Sequence, residues 1–523
     1  MIDQKYIRWL YYTGLLGIIA GMALSKPAVS VGIIVCGIAW LSEADFVVRI
    51  KSLKRQPFFW ISLLLILLHL TGLLWSENIH YGLKDIKTKL PLVILPFIFG
   101  SSRAFDLREM FSYIKFVFVG SLIACSFLSF AIYFHWIKPV QFTEADMRTM
   151  IFGVSGVRLA LFMCLAICFL GYDAYKTKNN PLRLACALII LWFLFFLNFI
   201  ESGTAIVFLC LLAVFTLVYA IIKKLTLKWR IVSISFMAVV FVSVAGYVYA
   251  SVAAVYALKD CPITATASKY GEKYIFDKNF PYVENGCVVG KFIAPWELKT
   301  AWEKRSALRF EGRDKLHQTL YATLIRYLNS KGMAKDQEAV EKLTAQDIRN
   351  IENGIANYSY TTMYGWQRRL VQIVFEFVSY NSDNRNPFGN SVTQRFEYWR
   401  IGWNLFLRSP LFGLGTGDVG DAYNEVYTHY KFEIEHRHKL RAHNQYLTMA
   451  VAFGIIGLII FLAYAFSMVW TNAYGQNHYT ALAFLFIMVF SFLSEDTLET
   501  QSGVTFIAFF HTFFNLKYKK QTA

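Results

Sequence analysis

The segment Arg441-Ala442-His443-Asn444-Gln445-Tyr446-Leu447 leads directly into an apolar run over residues 448–470, TMAVAFGIIGLIIFLAYAFSMVW. Roughly twenty apolar residues are needed to cross the hydrocarbon core of a bilayer, so we expect this run to be a transmembrane helix. The seven residues before it gather an arginine, a histidine and two amides at the mouth of that helix. Such side chains are common at membrane boundaries, so they can be ordinary interface residues or part of a functional site.

The composition of the whole chain indicates a multi-pass membrane protein. Of the 523 residues, 56% are hydrophobic, and the mean hydropathy is +0.41. The net charge of +17 comes largely from short basic segments between apolar runs. Cytoplasmic loops of membrane proteins carry such an excess of Lys and Arg. We therefore expect a lipid bilayer as the environment and no nucleic-acid partner.

The apolar runs predict an all-α polytopic protein with about twelve transmembrane helices, of which the last three follow residue 442. Basic segments such as those around Lys54, Lys178 and Lys223 fall on one side when the runs are counted in order. This count predicts cytoplasmic N- and C-termini. A second apolar run follows the first at once, so we expect the first to be a helix and not a removed signal peptide.

The apolar runs stop between residues 258 and 442, which predicts three domains. These are an N-terminal transmembrane bundle over 1–257, a large extracytoplasmic domain over 258–442, and C-terminal transmembrane helices over 443–523. Helical periodicity makes the middle domain mainly helical. Its expected helices cover residues 313–330, 336–355, 361–378 and 392–407.

The eight cysteines fall into two groups. Six lie in apolar runs, where a thiol behaves as a small hydrophobic side chain. Cys261 and Cys287 lie in the extracytoplasmic domain, and a pair in an oxidising compartment predicts a disulfide. Two free thiols are the alternative.

Two further stretches carry residues suited to binding or chemistry. The predicted helix 392–407 holds Arg395 and Arg400 and leads to PLFGLGTGD over 410–418, with Gly415 and Gly417. This turn can fold the chain back, or its backbone can cradle a diphosphate. Histidines and glutamates at His436, His438, Glu433 and Glu435 do not have the spacing of a metal site, so we expect no metal.

His443 and Arg158 are the remaining candidates. An imidazole exchanges a proton near neutral pH, which suits His443 to act as a general base. Arg158 begins a predicted span from the outer side, where arginines either bind anionic substrates or anchor a helix at the interface.

Four segments together resemble the O-antigen ligase family, which includes related polymerases and bacterial protein O-oligosaccharyltransferases. They are RFEYW at 395–399, PLFGLGTGD at 410–418, RAHNQYL at 441–447 and GIIGL at 454–458. Residues 83–100, LKDIKTKLPLVILPFIFG, also resemble a segment of Bacteroidetes-type members.

The resemblance implies transfer of a glycan from an undecaprenyl-diphosphate carrier to an acceptor on the periplasmic face of the bacterial inner membrane, without metal or other cofactor. It implies that His443 activates the acceptor hydroxyl. Arg158, Arg395, Arg400 and Arg441 are the candidates for binding the diphosphate. Asn444, Tyr446, Gly415 and Gly417 are candidates for supporting roles.

The acceptor stays open at the level of sequence. Ligation of O-antigen to lipid A–core is the first expectation, and polymerisation of repeat units or transfer to protein is the alternative. A transporter of lipid-linked sugars would place ionisable residues near the middle of several spans. The apolar runs carry few such residues, which favours an enzyme.

Overall fold

A computed structural model describes most of the chain. It covers residues 3–107, 109–134, 136–137, 154–200, 203–256, 258, 261, 263–380, 392–430, 434, 439–470 and 478–516. Almost all of the regular structure is helical. The first eleven helices are α1 (Gln4–Leu24), α2 (Lys26–Leu41), α3 (Phe46–Ser52), α4 (Pro57–Thr71), α5 (Ile79–Lys89), α6 (Pro91–Ser101), α7 (Phe111–Tyr133), α8 (Gly156–Lys176), α9 (Asn180–Phe199), α10 (Gly203–Lys224) and α11 (Leu227–Tyr256).

A two-stranded antiparallel hairpin of β1 (Val283–Glu284) and β2 (Cys287–Val288) follows. The later helices are α12 (Pro295–Glu303), α13 (Leu320–Ser330), α14 (Gln337–Lys342), α15 (Ala345–Glu352), α16 (Gly365–Tyr380), α17 (Thr393–Arg408), α18 (Val419–Thr428), α19 (Gln445–Ala465), α20 (Ser467–Trp470), α21 (His478–Ser494) and α22 (Gln501–Asn515).

Apolar helices of spanning length make the chain a multi-pass membrane protein. Among the described residues, seven helices are long and apolar enough to cross a membrane, or up to eight if the bent pair Lys26–Leu41 and Phe46–Arg55 forms one span. Two shorter apolar helices are Val207–Lys223 and His478–Ser494. The total of about twelve spans, and the periplasmic location of the middle region, stay predictions.

The chain forms two compact units. The first consists of Met1–Lys138, Ile151–Tyr219 and Gln394–Ala523, and the second of Pro139–Met150 and Ala220–Thr393. Residues 394–442, which the sequence analysis assigns to the extracytoplasmic domain, thus pack with the first unit. Residues 220–257, assigned there to the N-terminal bundle, fall in the second.

The first unit is built around α22, which is buried along its length and packs against α6 and α1. Phenylalanines dominate this packing; the Phe118 and Phe510 ring centroids, for example, lie 5.0 Å apart. α19 begins after Asn444, whose side chain accepts a hydrogen bond from the Leu447 N–H, as an N-cap residue does. It is broken at Gly454, whose φ of +64° is not helical.

The second unit has a core of buried apolar side chains that includes Trp302, Leu324 and Leu328. Cys261 and Cys287 are joined by a disulfide with their Cα atoms 5.3 Å apart. Two predicted helices are wrong in part. The segment 313–330 is helical only from Leu320, and 336–355 is divided into α14 and α15.

Candidate functional site

A backbone turn places His443 immediately before α19. The carboxylate of Asp496 accepts hydrogen bonds from the His443 N–H at 3.0 Å and the Asn444 N–H at 3.2 Å. It also accepts one from the Thr448 hydroxyl at 2.7 Å. His443 has a φ of +48°, in the left-handed region that few residues other than glycine occupy. Asp496 therefore holds a strained turn that determines where the imidazole lies.

The side chain of His443 faces a glutamate and a tyrosine. Its Nδ1 lies 3.4 Å from Glu495 Oε2, which is long for a hydrogen bond. The ring centroids of His443 and Tyr398 are 5.7 Å apart. A quarter of the His443 side chain is exposed, and its Nδ1 is buried.

Arg395 and Arg158 share Glu495 with His443. Arg395 Nη2 donates to Glu495 Oε1 at 3.0 Å. Arg158, near the start of α8, donates through Nη1 to Ser155 Oγ at 3.0 Å, and its charge acts on Glu495 and Asp496. Burial favours a neutral Glu495, but the neighbouring His443, Arg395 and Arg158 hold its pKa below the ordinary value. Glu495 is thus an anion that lies beside two arginines and the imidazole of His443.

Arg441 is bound by a different glutamate. Its Nη1 donates to Glu499 Oε2 at 2.8 Å, and Glu499 Oε1 accepts from Gln445 Nε2 at 3.2 Å. The Cζ of Arg441 also lies 5.2 Å from the centroid of the Tyr81 ring on α5, within the range of a cation–π contact.

A second cation approaches Glu499 from the end of α5. Lys89 Nζ donates to Glu499 Oε2 at 3.0 Å and to Asp85 Oδ1 and Oδ2 at 2.7 and 2.6 Å. Burial and the nearby Glu499 raise the pKa of Asp85. Burial also opposes ionisation of Glu499, but Lys89 and Arg441 lower its pKa below the ordinary value. Glu499 therefore stays charged and binds both cations.

The glycine-rich turn packs against α4, α5 and α19. The N–H of Gly415 donates to Ala452 O at 2.9 Å, and that of Gly417 donates to Ser76 Oγ at 3.0 Å. A Cβ on Gly417 would lie 2.2 Å from Asn78 O. Because the protein uses both N–H groups, these contacts favour the tight turn over the diphosphate cradle.

The other predicted residues have local contacts. Arg400 donates to Glu397 at 2.6 Å and to the Tyr430 hydroxyl at 3.2 Å, and its side chain is 60% exposed. Asn444 caps α19, and the Tyr446 hydroxyl donates to Val489 O at 3.0 Å. The four residues Glu433, Glu435, His436 and His438 lie outside the described part of the chain.

The sequence reasoning missed the three carboxylates that organise this site. Glu495, Asp496 and Glu499 lie within five residues between two apolar helices, α21 and α22. Three acids so close together at a membrane boundary are a signal that could have been read, because buried charges need partners. Their partners are 48 to 410 residues away and could not be assigned from the sequence.

The site therefore lies where apolar helices of one unit end. α8, α19 and α22 begin at it, and α21 ends at it. It combines an imidazole with three arginines and a lysine held by buried carboxylates. A polytopic helical membrane protein with such a site has the components for handling an anionic, membrane-bound substrate.

Residues 354–462 match the O-antigen ligase family. The match confirms the predicted resemblance to this family over a region that contains Arg395, the glycine-rich turn, Arg441 and His443. No curated protein matches the chain. The family supports a glycosyltransferase-type enzyme.

Proposed function

We propose that this protein transfers a glycan from an undecaprenyl-diphosphate carrier to an acceptor at the periplasmic face of the bacterial inner membrane. The most direct form of this reaction is ligation of O-antigen to lipid A–core. The observation that carries the proposal is His443 beside Glu495, with Arg395 and Arg158 acting on the same carboxylate. His443 and Arg395 lie inside the region that matches the family.

The chemistry assigns His443 the role of general base. The acceptor hydroxyl attacks the anomeric carbon of the donor sugar while its proton passes to the imidazole. The bond between that carbon and the diphosphate oxygen breaks, and undecaprenyl diphosphate leaves. Glu495 stabilises the imidazolium that forms, as the carboxylate does in other acid–histidine pairs.

The arginines stabilise the leaving group. Negative charge grows on the diphosphate as the glycosidic bond breaks, and fixed guanidinium groups in a poorly hydrated site interact strongly with it. Arg395 and Arg441 are each bound to a glutamate, at 3.0 and 2.8 Å. These pairs hold the two side chains in place before the donor arrives. Arg400, which is mostly exposed, is the weakest of the four candidates.

Gene deletion with rescue tests the proposal. Cell-surface lipopolysaccharide and glycoproteins are analysed after rescue with wild type, His443→Ala or His429→Ala. His429 is an exposed histidine in the same matched region and serves as the matched control. We expect wild type and His429→Ala to restore the glycan, and His443→Ala to be present in the membrane without restoring it. Normal glycan with His443→Ala would contradict its role as base.

The missing product identifies the acceptor. Loss of the whole polysaccharide ladder with an intact core indicates ligation, and a single added repeat indicates polymerisation. Unchanged lipopolysaccharide with missing protein glycans indicates transfer to protein. No change in any of these glycans after deletion would contradict the proposed reaction.

Arg395 has its own matched control on the same helix. Arg408 forms an exposed pair with Glu425, and such pairs contribute little to stability. We expect Arg395→Ala to use the donor less well than Arg395→Lys, which keeps the charge, and Arg408→Ala to resemble wild type. Equal activity of both Arg395 variants and wild type would remove Arg395 from the site.

A further inference from the structure

Helix α5 reaches Arg441 from two positions about two turns apart, directly through Tyr81 and indirectly through Lys89 and Glu499. Tyr81, near its first turn, places its ring 5.2 Å from the guanidinium carbon. Lys89, its last residue, binds the same Glu499 that binds Arg441. The N-terminal end of α5 is also fixed, because Asp418 accepts hydrogen bonds from the N–H groups of Glu77 and Asn78, both at 2.9 Å. α5 is therefore a fixed support for one arginine.

Lys89 cannot itself bind a substrate in this arrangement. An ammonium group has three N–H donors. The three acceptors Asp85 Oδ1, Asp85 Oδ2 and Glu499 Oε2 lie within 3.0 Å of Nζ. Only 2% of the residue is exposed. The contacts of Lys89 therefore lead towards an anionic ligand through Glu499 and Arg441.

The four ionisable groups Lys89, Arg441, Asp85 and Glu499 balance one another when all are charged. Burial and Glu499 raise the pKa of Asp85 to about 7, so above that pH Asp85 and Glu499 carry two negative charges against the two positive charges of Lys89 and Arg441. Asp496 also acts on Glu499 and Arg441, and it is the same in every variant below. Lys89 therefore neutralises carboxylate charge that would otherwise bind Arg441 more tightly and repel a nearby anion. Buried charges interact far more strongly than exposed ones, so each change at this cluster reaches Arg441.

We propose that α5 forms part of the diphosphate site, with Lys89, Asp85 and Tyr81 as positioning residues that set the orientation and effective charge of Arg441. This inference rests on the proposed function, since it takes Arg441 to be a ligand of the diphosphate. It adds a helix distant in sequence from the region that matches the family.

The charge balance predicts opposite effects for two neighbouring substitutions. Lys89→Met leaves two carboxylates facing one guanidinium, which weakens binding of an anion at Arg441. Asp85→Asn leaves two cations facing one carboxylate, which strengthens it. The double variant Lys89→Met/Asp85→Asn restores the balance of one cation and one anion. A purely structural role would impair binding in both single variants.

The test measures binding of undecaprenyl diphosphate to the full-length protein in lipid nanodiscs at about pH 8, above the raised pKa of Asp85. We expect the Kd to rise about tenfold for Lys89→Met, to fall about threefold for Asp85→Asn, and to return close to the wild-type value in the double variant. Lys87→Met, an exposed lysine on the same helix, is the matched control and should bind like wild type. Thermal unfolding of each variant reports the folded fraction separately.

Two further measurements test the inference even if Lys89→Met fails to fold. One uses a substitution of Tyr81, and the other uses the Arg441→Ala protein as the background. Tyr81→Leu removes the ring under Arg441 and should raise the Kd by about threefold. In an Arg441→Ala background, Lys89→Met and Tyr81→Leu should have no further effect, because the group through which they act is gone.

The outcomes separate this inference from the proposed function. If the wild type binds undecaprenyl diphosphate, the inference alone is overturned when Lys89→Met and Asp85→Asn both bind more weakly, or when neither binds differently from the wild type. The same would follow if the effects persisted in the Arg441→Ala background. Wild type that binds no undecaprenyl diphosphate would contradict the donor assigned in the proposed function, and the inference with it.

Discussion

At the scale of single residues, the position of His443 depends on a carboxylate that lies on another element. Asp496 accepts the N–H groups of His443 and Asn444, and it thereby holds the positive φ of His443. Histidine is one of the few residues besides glycine that enters this region with some frequency, together with Asn and Asp. A histidine at position 443 can thus adopt the positive φ of the turn and also supply the imidazole.

Replacing Asp496 should separate folding from activity. Asp496→Ala removes the acceptor for both N–H groups, and we expect a loss of about 1–2 kcal/mol in unfolding free energy. Because a displacement of about 1 Å can cost about a hundredfold in rate, transfer should fall by a larger factor than stability explains. Thermal unfolding and glycan transfer by the same purified protein measure the two effects.

Thr448→Val is the control for Asp496. It removes only the hydroxyl bond to Asp496, measured at 2.7 Å, and leaves both backbone bonds in place. Since Asp496→Ala removes all three bonds, we expect a smaller loss of stability in Thr448→Val, with nearly normal transfer. If Thr448→Val and Asp496→Ala reduce transfer equally, the turn at His443 is not what Asp496 contributes.

The sequence predicts the cations of the site better than their partners. His443, Arg395 and Arg441 lie in short segments whose residue types suggest chemistry, and Arg158 stands alone at the start of an apolar run. The carboxylates Glu495 and Glu499 lie in a short connection whose acidic residues indicate buried charges but do not identify their partners. Their pairing with residues such as Lys89, 410 positions away, is fixed only by packing.

At the scale of elements, the sequence predicts the apolar helices more reliably than it predicts the polar helices of the second unit. The apolar runs have one composition throughout, so their existence is plain, although the break in α19 at Gly454 could not be predicted from that composition. In the second unit, Asp314 accepts from the N–H groups of Leu316 and Gln318 and forms a turn where a helix was expected. Thr344 and Asp347 form a capping box that starts α15 anew and divides the other predicted helix.

The glycine-rich turn gives a prediction at this scale. Gly417→Ala would bring a Cβ to 2.2 Å from Asn78 O, where neither backbone can move easily. We expect the unfolding free energy to fall by about 1–3 kcal/mol. Because Asn78 begins α5, donor binding should weaken together with stability. Thermal unfolding and undecaprenyl diphosphate binding measure the two.

Gly420 provides the comparison for Gly417. It lies three residues further along, on α18, and a Cβ there meets nothing within 4 Å. Gly420→Ala should be neutral or slightly stabilising, since alanine favours a helix. Weakened binding in Gly417→Ala at unchanged stability would instead favour the diphosphate cradle over the tight turn.

At the scale of the whole molecule, the orientation in the membrane depends on basic residues, and one of them has another role. Arg49 is 1% exposed and donates to the carbonyl oxygens of Trp40 and Glu43. Its guanidinium group stabilises the bend between α2 and α3 by binding these carbonyl oxygens. The composition of the sequence could not reveal this structural role. The predicted orientation therefore rests on its exposed neighbours, such as Lys54.

Labelling of single cysteines in intact cells tests that orientation. Lys54→Cys should be protected from a membrane-impermeant maleimide until the inner membrane is opened, because basic loops stay in the cytoplasm. Lys304→Cys, an exposed position in the second unit, should react at once.

The unsubstituted protein is the control, since five of its six free cysteines are buried and Cys261 and Cys287 form a disulfide. That bond also forms in oxidising compartments such as the periplasm, so both thiols should resist alkylation until reduced. Immediate reaction of Lys54→Cys, with protection of Lys304→Cys, would invert the protein and place His443 on the cytoplasmic face, against the proposed reaction.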